Sequence, residues 1–314
     1  MIHNILVIGA GQLGSQVLRH LLQHPQRTYN NITARVSVLI RSETRTKTQL
    51  LEAPGLSKEL VEAIGFVQSD IVTATDSELA QALAPFDLVI SCTGFVAGPG
   101  TQTKIARAVQ QAGVSFFIPW QFGVDYDKIG RGSAQDLFDE QLDVRDLLRQ
   151  ADQKTRWAVI STGMFTSFLF EPWFGVVDLP GRTITALGAL ENRVTVTTPK
   201  DIGHITADYV FSDPSQSETF KNEPVFVGGD TIPYNHLAAI VEKQLGQPVT
   251  RKVLTVDQAR ENLLQDPRNS LHKYSIVFGE GVGVAWDLES TWNVKKGIEP
   301  RAMTTEEFFK EASC

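Results

Sequence analysis

Apolar positions in the first half of the chain come in short unbroken bursts separated by longer, half-polar stretches. Residues 5–8 form the first burst, and they run into Gly9-Ala10-Gly11-Gln12-Leu13-Gly14. Beyond the glycines, Val17, Leu18, Leu21 and Leu22 recur at helical spacing. The pattern predicts a strand, a tight turn and a helix over about 14–23. It then repeats. Strands are predicted over 36–40, 66–67, 88–91, 116–119 and 157–161, and helices over 57–64, 76–83, 102–112 and 136–150. Strand–helix alternation with short connections implies an α/β fold, a Rossmann-type doubly wound parallel sheet. After about residue 162 the pattern loosens, with short strands at 183–187, 194–197 and 225–227 and helices at 202–209, 234–245 and 256–264. We therefore expect a dinucleotide-binding domain over 1–162 and a smaller α/β substrate-binding lobe over 163–314, some of whose elements return to the first domain.

The glycine run carries the first chemistry. A glycine at 9 allows a tight turn, one at 11 lets the backbone approach a pyrophosphate, and one at 14 lets helix and strand pack closely. The N–H groups at the helix start, at Gln12 and Leu13, then face the phosphates with the positive end of the helix dipole. The strand at 36–40 ends in Arg41-Ser42, where an NAD site would place an acidic residue. Arg41, with Lys47 close behind, suits a 2′-phosphate and points to NADPH/NADP; Glu43 is a possible competitor. Thr93 and Gly94, after the strand at 88–91, are small enough to let a dinucleotide cross the sheet edge. Asp70, after the strand at 66–67, would either neighbour the adenine or cap the following segment.

Composition narrows the partners. The chain has 314 residues and a formal net charge of −7, with no basic run longer than Lys295-Lys296, which argues against a nucleic-acid surface. Two cysteines, Cys92 and Cys314, make no disulfide framework, and no Cys/His spacing suits a metal. Cys92 reads as a buried small residue. No run of 18 apolar residues suggests a membrane span. The first strand follows His3-Asn4 directly, which leaves no room for a signal peptide, so the expected setting is the cytoplasm. His204 and His236 read as packed or capping residues, Asp201 as a helix cap, and Asp139-Glu140 and Glu306-Glu307 as solvated faces. Met164, Phe165 and Phe168, with Phe95, Val96 and Trp173, would line a flat apolar pocket suited to an aromatic or conjugated small molecule.

These segments fall in a familiar order. The glycine loop, Arg41, the helix with Gln102 and Lys104, the stretch Phe117-Ile118-Pro119-Trp120-Gln121-Phe122-Gly123 and the residues from Phe138 to Arg145 together resemble isoflavone reductase-like proteins. That group includes phenylcoumaran benzylic ether and pinoresinol–lariciresinol reductases, within the NmrA-like atypical short-chain dehydrogenases. The wording Pro-Trp-Gln-Phe-Gly-Val-Asp-Tyr-Asp is similar to fungal members. The resemblance covers most of the first 170 residues. It implies an NADPH-binding fold, monomeric or dimeric, often of secondary metabolism. It also places Trp120, Gln121 and Phe122 beside Thr93 and Gly94 at the nicotinamide end.

The chain departs from the pattern of that group where it expects a lysine within Phe-x-x-Lys-x-x-Val-Arg. Here Phe138-Asp139-Glu140-Gln141-Leu142-Asp143-Val144-Arg145 puts Gln141 there. Glutamine exchanges hydrogen bonds but not protons at neutral pH. Three readings stay open. One is a reductase of an enone, imine or quinone methide, with Gln141 orienting the ligand and Tyr126 or Lys128 near the nicotinamide. The others are a non-redox catalyst and an NADP(H)-sensing regulator without turnover.

Overall fold

The computed structural model describes residues 2–95, 98–150, 154–213, 215 and 218–312. Val96 lies outside them. The chain makes two compact units. One is Met1–Phe122, Glu140–Ile160 and Ile202–Val225; the other is Gly123–Asp139, Ser161–Asp201 and Phe226–Cys314. The boundary near residue 162 is therefore one of several, because the chain also visits the second unit at 123–139 and returns to the first at 202–225.

The first unit is the sheet unit. Among the described residues the seven strands of its central sheet are β1 (Asn4–Ile8), β2 (Arg35–Ile40), β3 (Gly65–Gln68), β4 (Leu88–Ser91), β5 (Phe116–Ile118), β6 (Arg156–Ser161) and β7 (Glu223–Phe226). They lie in the order β7-β6-β5-β4-β1-β2-β3. The pairs from β6 to β3 are parallel, as the alternation predicts. Ile5, Leu6, Val7 and Ile8 are each 0% exposed, so β1 is covered on both faces. That is why it reads as an unbroken apolar run rather than an alternation. The strand order reverses between β1 and β4, and in such sheets ligands bind beyond the carboxyl ends at that point.

Five helices serve the site: α1 (Gln12–Gln23), α2 (Glu43–Glu52), α3 (Asp76–Leu83), α4 (Thr101–Ala112) and α5 (Leu137–Leu148). Their ends are treated differently. α3 carries a capping box between Thr75 and Glu78. α4 begins at Gly100, which has no side chain to cap with, and a carboxylate from α5 does the work instead. Glu140 accepts hydrogen bonds from the N–H groups of Gln102 (2.7 Å), Gly100 (3.0 Å) and Thr103 (3.3 Å). The solvated face expected at Asp139-Glu140 is thus a helix cap, joined to the positive end of the α4 dipole. α1 has neither device.

Within the first unit, Asp208 lies between two imidazoles, 2.9 Å from His24 Nε2 and 3.1 Å from His204 Nε2. His204 is therefore packed, as expected, whereas His236 is exposed.

The second unit holds two small sheets. One joins Val177–Asp178, Thr183–Leu187 and Thr250–Leu254; the other joins Met164–Phe165, Arg193–Thr197 and Asp230–Pro233. Helices Tyr234–Leu245, Val256–Gln265, Ser270–Glu280 and Thr305–Ala312 accompany them. The cap expected of Asp201 belongs to Thr198, whose Oγ1 accepts from the Asp201 N–H at 3.0 Å. Asp201 instead accepts from Thr198 Oγ1 at 2.7 Å and from the Met303 N–H at 3.0 Å. Glu306 and Glu307 are ion-paired with Lys243 and Arg301 respectively. Among the described residues no helix is long and apolar enough to cross a membrane, and no His/Cys/Asp/Glu group is arranged to hold a metal.

Replacing Glu140 by alanine leaves the α4 amides without their carboxylate. The expected loss is about 1–2 kcal/mol of unfolding free energy, read by urea denaturation, with Glu140→Gln losing less.

Candidate functional site

The turn after β1 is built by close approach. Gly9 has φ +96°, a left-handed conformation, and a Cβ on it would sit 3.1 Å from the Cys92 carbonyl oxygen. A Cβ on Gly14 would lie 2.1 Å from the Gly9 carbonyl oxygen, so any larger residue would push α1 off the strand. A Cβ on Gly11 would meet nothing within 4 Å. The open space lies at the start of α1, whose N-cap is Gly11. Among the described residues no side chain caps this helix, and its first turn carries no acid. The first-turn amides, Gln12 and Leu13 among them, are therefore left without a side-chain acceptor. The residues fit a pyrophosphate: donors without a protein cap, a positive dipole end and room where a Cβ would otherwise stand.

A cavity of about 610 Å³ opens from this turn within the first unit. Gly9, Ala10 and Gly11 form one side, and Leu39, Ile40 and Arg41 at the end of β2 form another. Thr46 and Gln49 reach it from α2, Ser69 to Val72 from the loop after β3, and Cys92 and Thr93 from the end of β4. Gln49 Nε2 donates to the Ala10 carbonyl at 2.9 Å and so braces the glycine turn from α2. Among the described lining residues Arg41 is the one cation. Lys47 is absent from that lining: its ammonium group sits 2.5 Å from Glu43 Oε1 and 4.9 Å above the Phe66 ring centre. The Glu43 carboxylate is thereby engaged. Asp70 also turns inward, accepting from the Val72 N–H at 2.9 Å, which is the capping alternative expected for it. Cys92 is buried, and burial pushes its thiol well above the usual range.

Beyond Thr93, the carboxyl edge is shaped by aromatic and amide groups. Gln102 Nε2 donates to the Gly94 carbonyl at 2.7 Å, and the Phe95 and Trp120 rings meet edge-to-face at 4.4 Å. Trp120 is half-buried, and Gln121 and Phe122 are buried. Gln121 ties two elements together. Its Nε2 donates to the Gln141 carbonyl at 2.8 Å and its Oε1 accepts from Arg145 Nε at 2.8 Å. Arg145 and Gln141 are both 0% exposed. The Gln141 side-chain amide has no hydrogen-bond partner among the described residues, on either its oxygen or its nitrogen. Leaving such groups unmet costs roughly 1–3 kcal/mol each.

Tyr126, Lys128, Met164, Phe165 and Phe168 belong to the second unit. Tyr126 is buried, with its ring edge-on to Phe138 at 4.9 Å. Lys128 is exposed, its Nζ 3.7 Å from Asp125 Oδ2. Met164 is buried. Phe165 and Phe168 are half-buried with ring centres 5.4 Å apart, and Trp173, 53% exposed, lies 5.2 Å from Phe168. Thr46 and Gln49 were not foreseen. They lie on α2, where only Thr46 and Leu50 are buried. Its polar sequence hides the helix, although 46, 49 and 50 share one face.

The model of the NmrA-like family matches residues 1–309. The chain belongs to the NmrA-like family. It is 42% identical over 302 residues to an NmrA-like family domain-containing oxidoreductase of Gibberella moniliformis, covering 95% of each chain. It is 26% identical over 274 residues to the phenylcoumaran benzylic ether reductase IRL1 of Ginkgo biloba, covering 84% of this chain and 82% of the relative. Among solved structures, isoflavone reductase superposes with TM-score 0.78 at 18% identity, covering 99% of this chain and 100% of that one. The leucoanthocyanidin reductase–NADPH complex of Vitis vinifera superposes with TM-score 0.76 at 19% identity, covering 98% of both chains. The NmrA-like chain thus shares the Rossmann-type fold of these reductases.

Two glycine substitutions separate packing from binding. Gly14→Ala forces a clash and is expected to cost about 1–3 kcal/mol of stability. Gly11→Ala has space, so its thermal midpoint stays near wild type while affinity for 2′,5′-ADP falls, as read by calorimetry.

Proposed function

We propose that this NmrA-like chain is an NADPH-dependent reductase acting on an aromatic or conjugated small molecule of the enone, imine or quinone methide type. The observation that carries the reading is the cavity that joins an uncapped helix start at Gly11 to Arg41 at the end of β2. A dinucleotide would place its pyrophosphate at the first and its 2′-phosphate at the second. Arg41, Thr46 and Gln49 would hold that phosphate, and Lys47 would join them only by leaving Glu43. The relatives support the chemistry, since the fungal one is named an oxidoreductase and the Vitis structure is an NADPH complex.

Bound NADPH supplies a hydride. The residues of the chain supply position. Thr93, Gly94, Trp120, Gln121 and Phe122 would border the nicotinamide at the carboxyl edge. Gln141, held through its own carbonyl by Gln121, offers a donor and an acceptor left unmet among the described residues. It can orient a carbonyl or carboxamide but cannot deliver a proton. That favours an acceptor already activated toward hydride. Tyr126 and Lys128 carry less of the reading, because Phe138 and Asp125 engage their side chains. Phe95, Met164, Phe165 and Phe168 would offer the apolar surface for the substrate. Gln141 in place of a lysine also favours a second reading, an NADP(H)-sensing regulator without turnover.

Fluorescence titration checks the cofactor. NADPH binds more tightly than NADH, and Arg41→Ala weakens NADPH by about ten- to a hundredfold, the range of a charge-assisted contact, while NADH affinity holds. Equal affinities in the wild type would sink the phosphate assignment.

A screen of aromatic enones, imines and quinone methides then separates reductase from regulator. The reductase reading expects NADPH absorbance to fall with at least one acceptor, and Gln141→Ala to slow that reaction more than tenfold at unchanged NADPH affinity. Tight NADPH binding without turnover on any acceptor supports the regulator.

A further inference from the structure

Lys104 lies near the start of α4, and its ammonium group points at backbone rather than at a ligand. Nζ donates to the carbonyl of Ile71 at 2.7 Å, to that of Val72 at 3.4 Å, and to that of Ala74. An ammonium has three hydrogens to give, and three carbonyls of one loop receive them. The loop joins β3 to α3, far from α4 in sequence. Its start is tied to the end of β2, where the Ser69 N–H donates to the Ile40 carbonyl at 3.0 Å, and its later part is bonded locally, the Ala74 N–H to the Asp70 carbonyl at 2.8 Å. Lys104 is therefore the tie that gathers the later part of the loop toward α4.

The same loop is a wall of the cavity, through Ser69, Asp70, Ile71 and Val72. With the carbonyls drawn toward α4, Ile71 and Val72 are left facing the cavity beside Leu39, an apolar surface suited to a flat base. Val72 is 58% exposed, which leaves a large apolar side chain standing in water until something covers it. Arg41, at the end of β2, borders the same space.

We propose that Lys104 is a positioning residue for the adenine half of the bound dinucleotide, acting through the loop over 69–74 and touching no ligand itself. This rests on the NADPH reading above. Arginine would be a poor replacement, since a planar fork cannot point at three converging carbonyls as a compact ammonium does.

The test uses the full chain and two variants, Lys104→Met and Lys104→Gln, with hydrogen exchange and calorimetry. In Lys104→Met, amide exchange is expected to quicken over 69–75 while β1 and β4 keep their protection. Affinity for 2′,5′-ADP and for NADPH is expected to fall together, by roughly tenfold, the size of one lost charge-assisted tie. Lys104→Gln, which keeps two donors, is expected to fall between wild type and Lys104→Met in both measurements. Faster loop exchange with unchanged 2′,5′-ADP affinity would overturn the proposal and leave Lys104 a fold residue only. A loss for NADPH without a loss for 2′,5′-ADP would also overturn it, because the effect would then lie at the other half of the ligand. Exchange that quickens throughout the sheet would do the same. If the wild type binds neither ligand, the NADPH reading itself fails, an outcome visible before any variant is compared.

Discussion

The site depends on one distance, the approach of α1 to the turn that follows β1. With no side chain at 14, the helix closes onto the Gly9 carbonyl, and a single added carbon would stand 2.1 Å from that oxygen. The approach sets where the first helical amides sit relative to the carboxyl ends of β1 and β4. Gln49 holds the same turn from the other side through the Ala10 carbonyl. The turn is thus fixed by a missing side chain at 14 and a present one at Gln49.

Helix ends show how the molecule distributes its polar groups. Two of the helix starts are met by side chains, by Thr75 and Glu78 for α3 and by Glu140 for α4. α1 alone among these three has no such side chain. Gln141 departs from this economy. Its neighbour Glu140 spends its carboxylate on α4, and its own carbonyl is taken by Gln121, yet its amide is buried and unmet among the described residues. Interiors rarely tolerate such groups without a purpose.

Much of the first unit was legible in sequence because its strands are buried on both faces. Runs such as 5–8 and 88–91 cannot be mistaken for amphipathic surface, and the glycines at 9, 11 and 14 mark the turn. The helix at Glu43–Glu52 was not legible, since little of it is buried; with it were lost Thr46 and Gln49, two residues that line the cavity. The strand Thr250–Leu254 was missed for the same reason, its first four residues being exposed. Roles that depend on partners distant in sequence were also hidden. Nothing local distinguishes Glu140, which caps a helix some forty residues earlier, from Asp139 beside it. Lys47 shows a second kind of hidden partner: read as a phosphate ligand because it lies close behind Arg41, it also stands one helical turn from Glu43, and that pair forms.

The interleaving of the two units bears on how the chain is made. It passes between them near residues 122, 139, 160, 201 and 225. The edge strand β7 and the helix bearing Asp208 join the first unit only after residue 201. During synthesis the glycine turn and its cavity walls therefore leave the ribosome well before the sheet that supports them is complete. Each unit is assembled from three stretches of the chain, so no single cut separates one unit from the other.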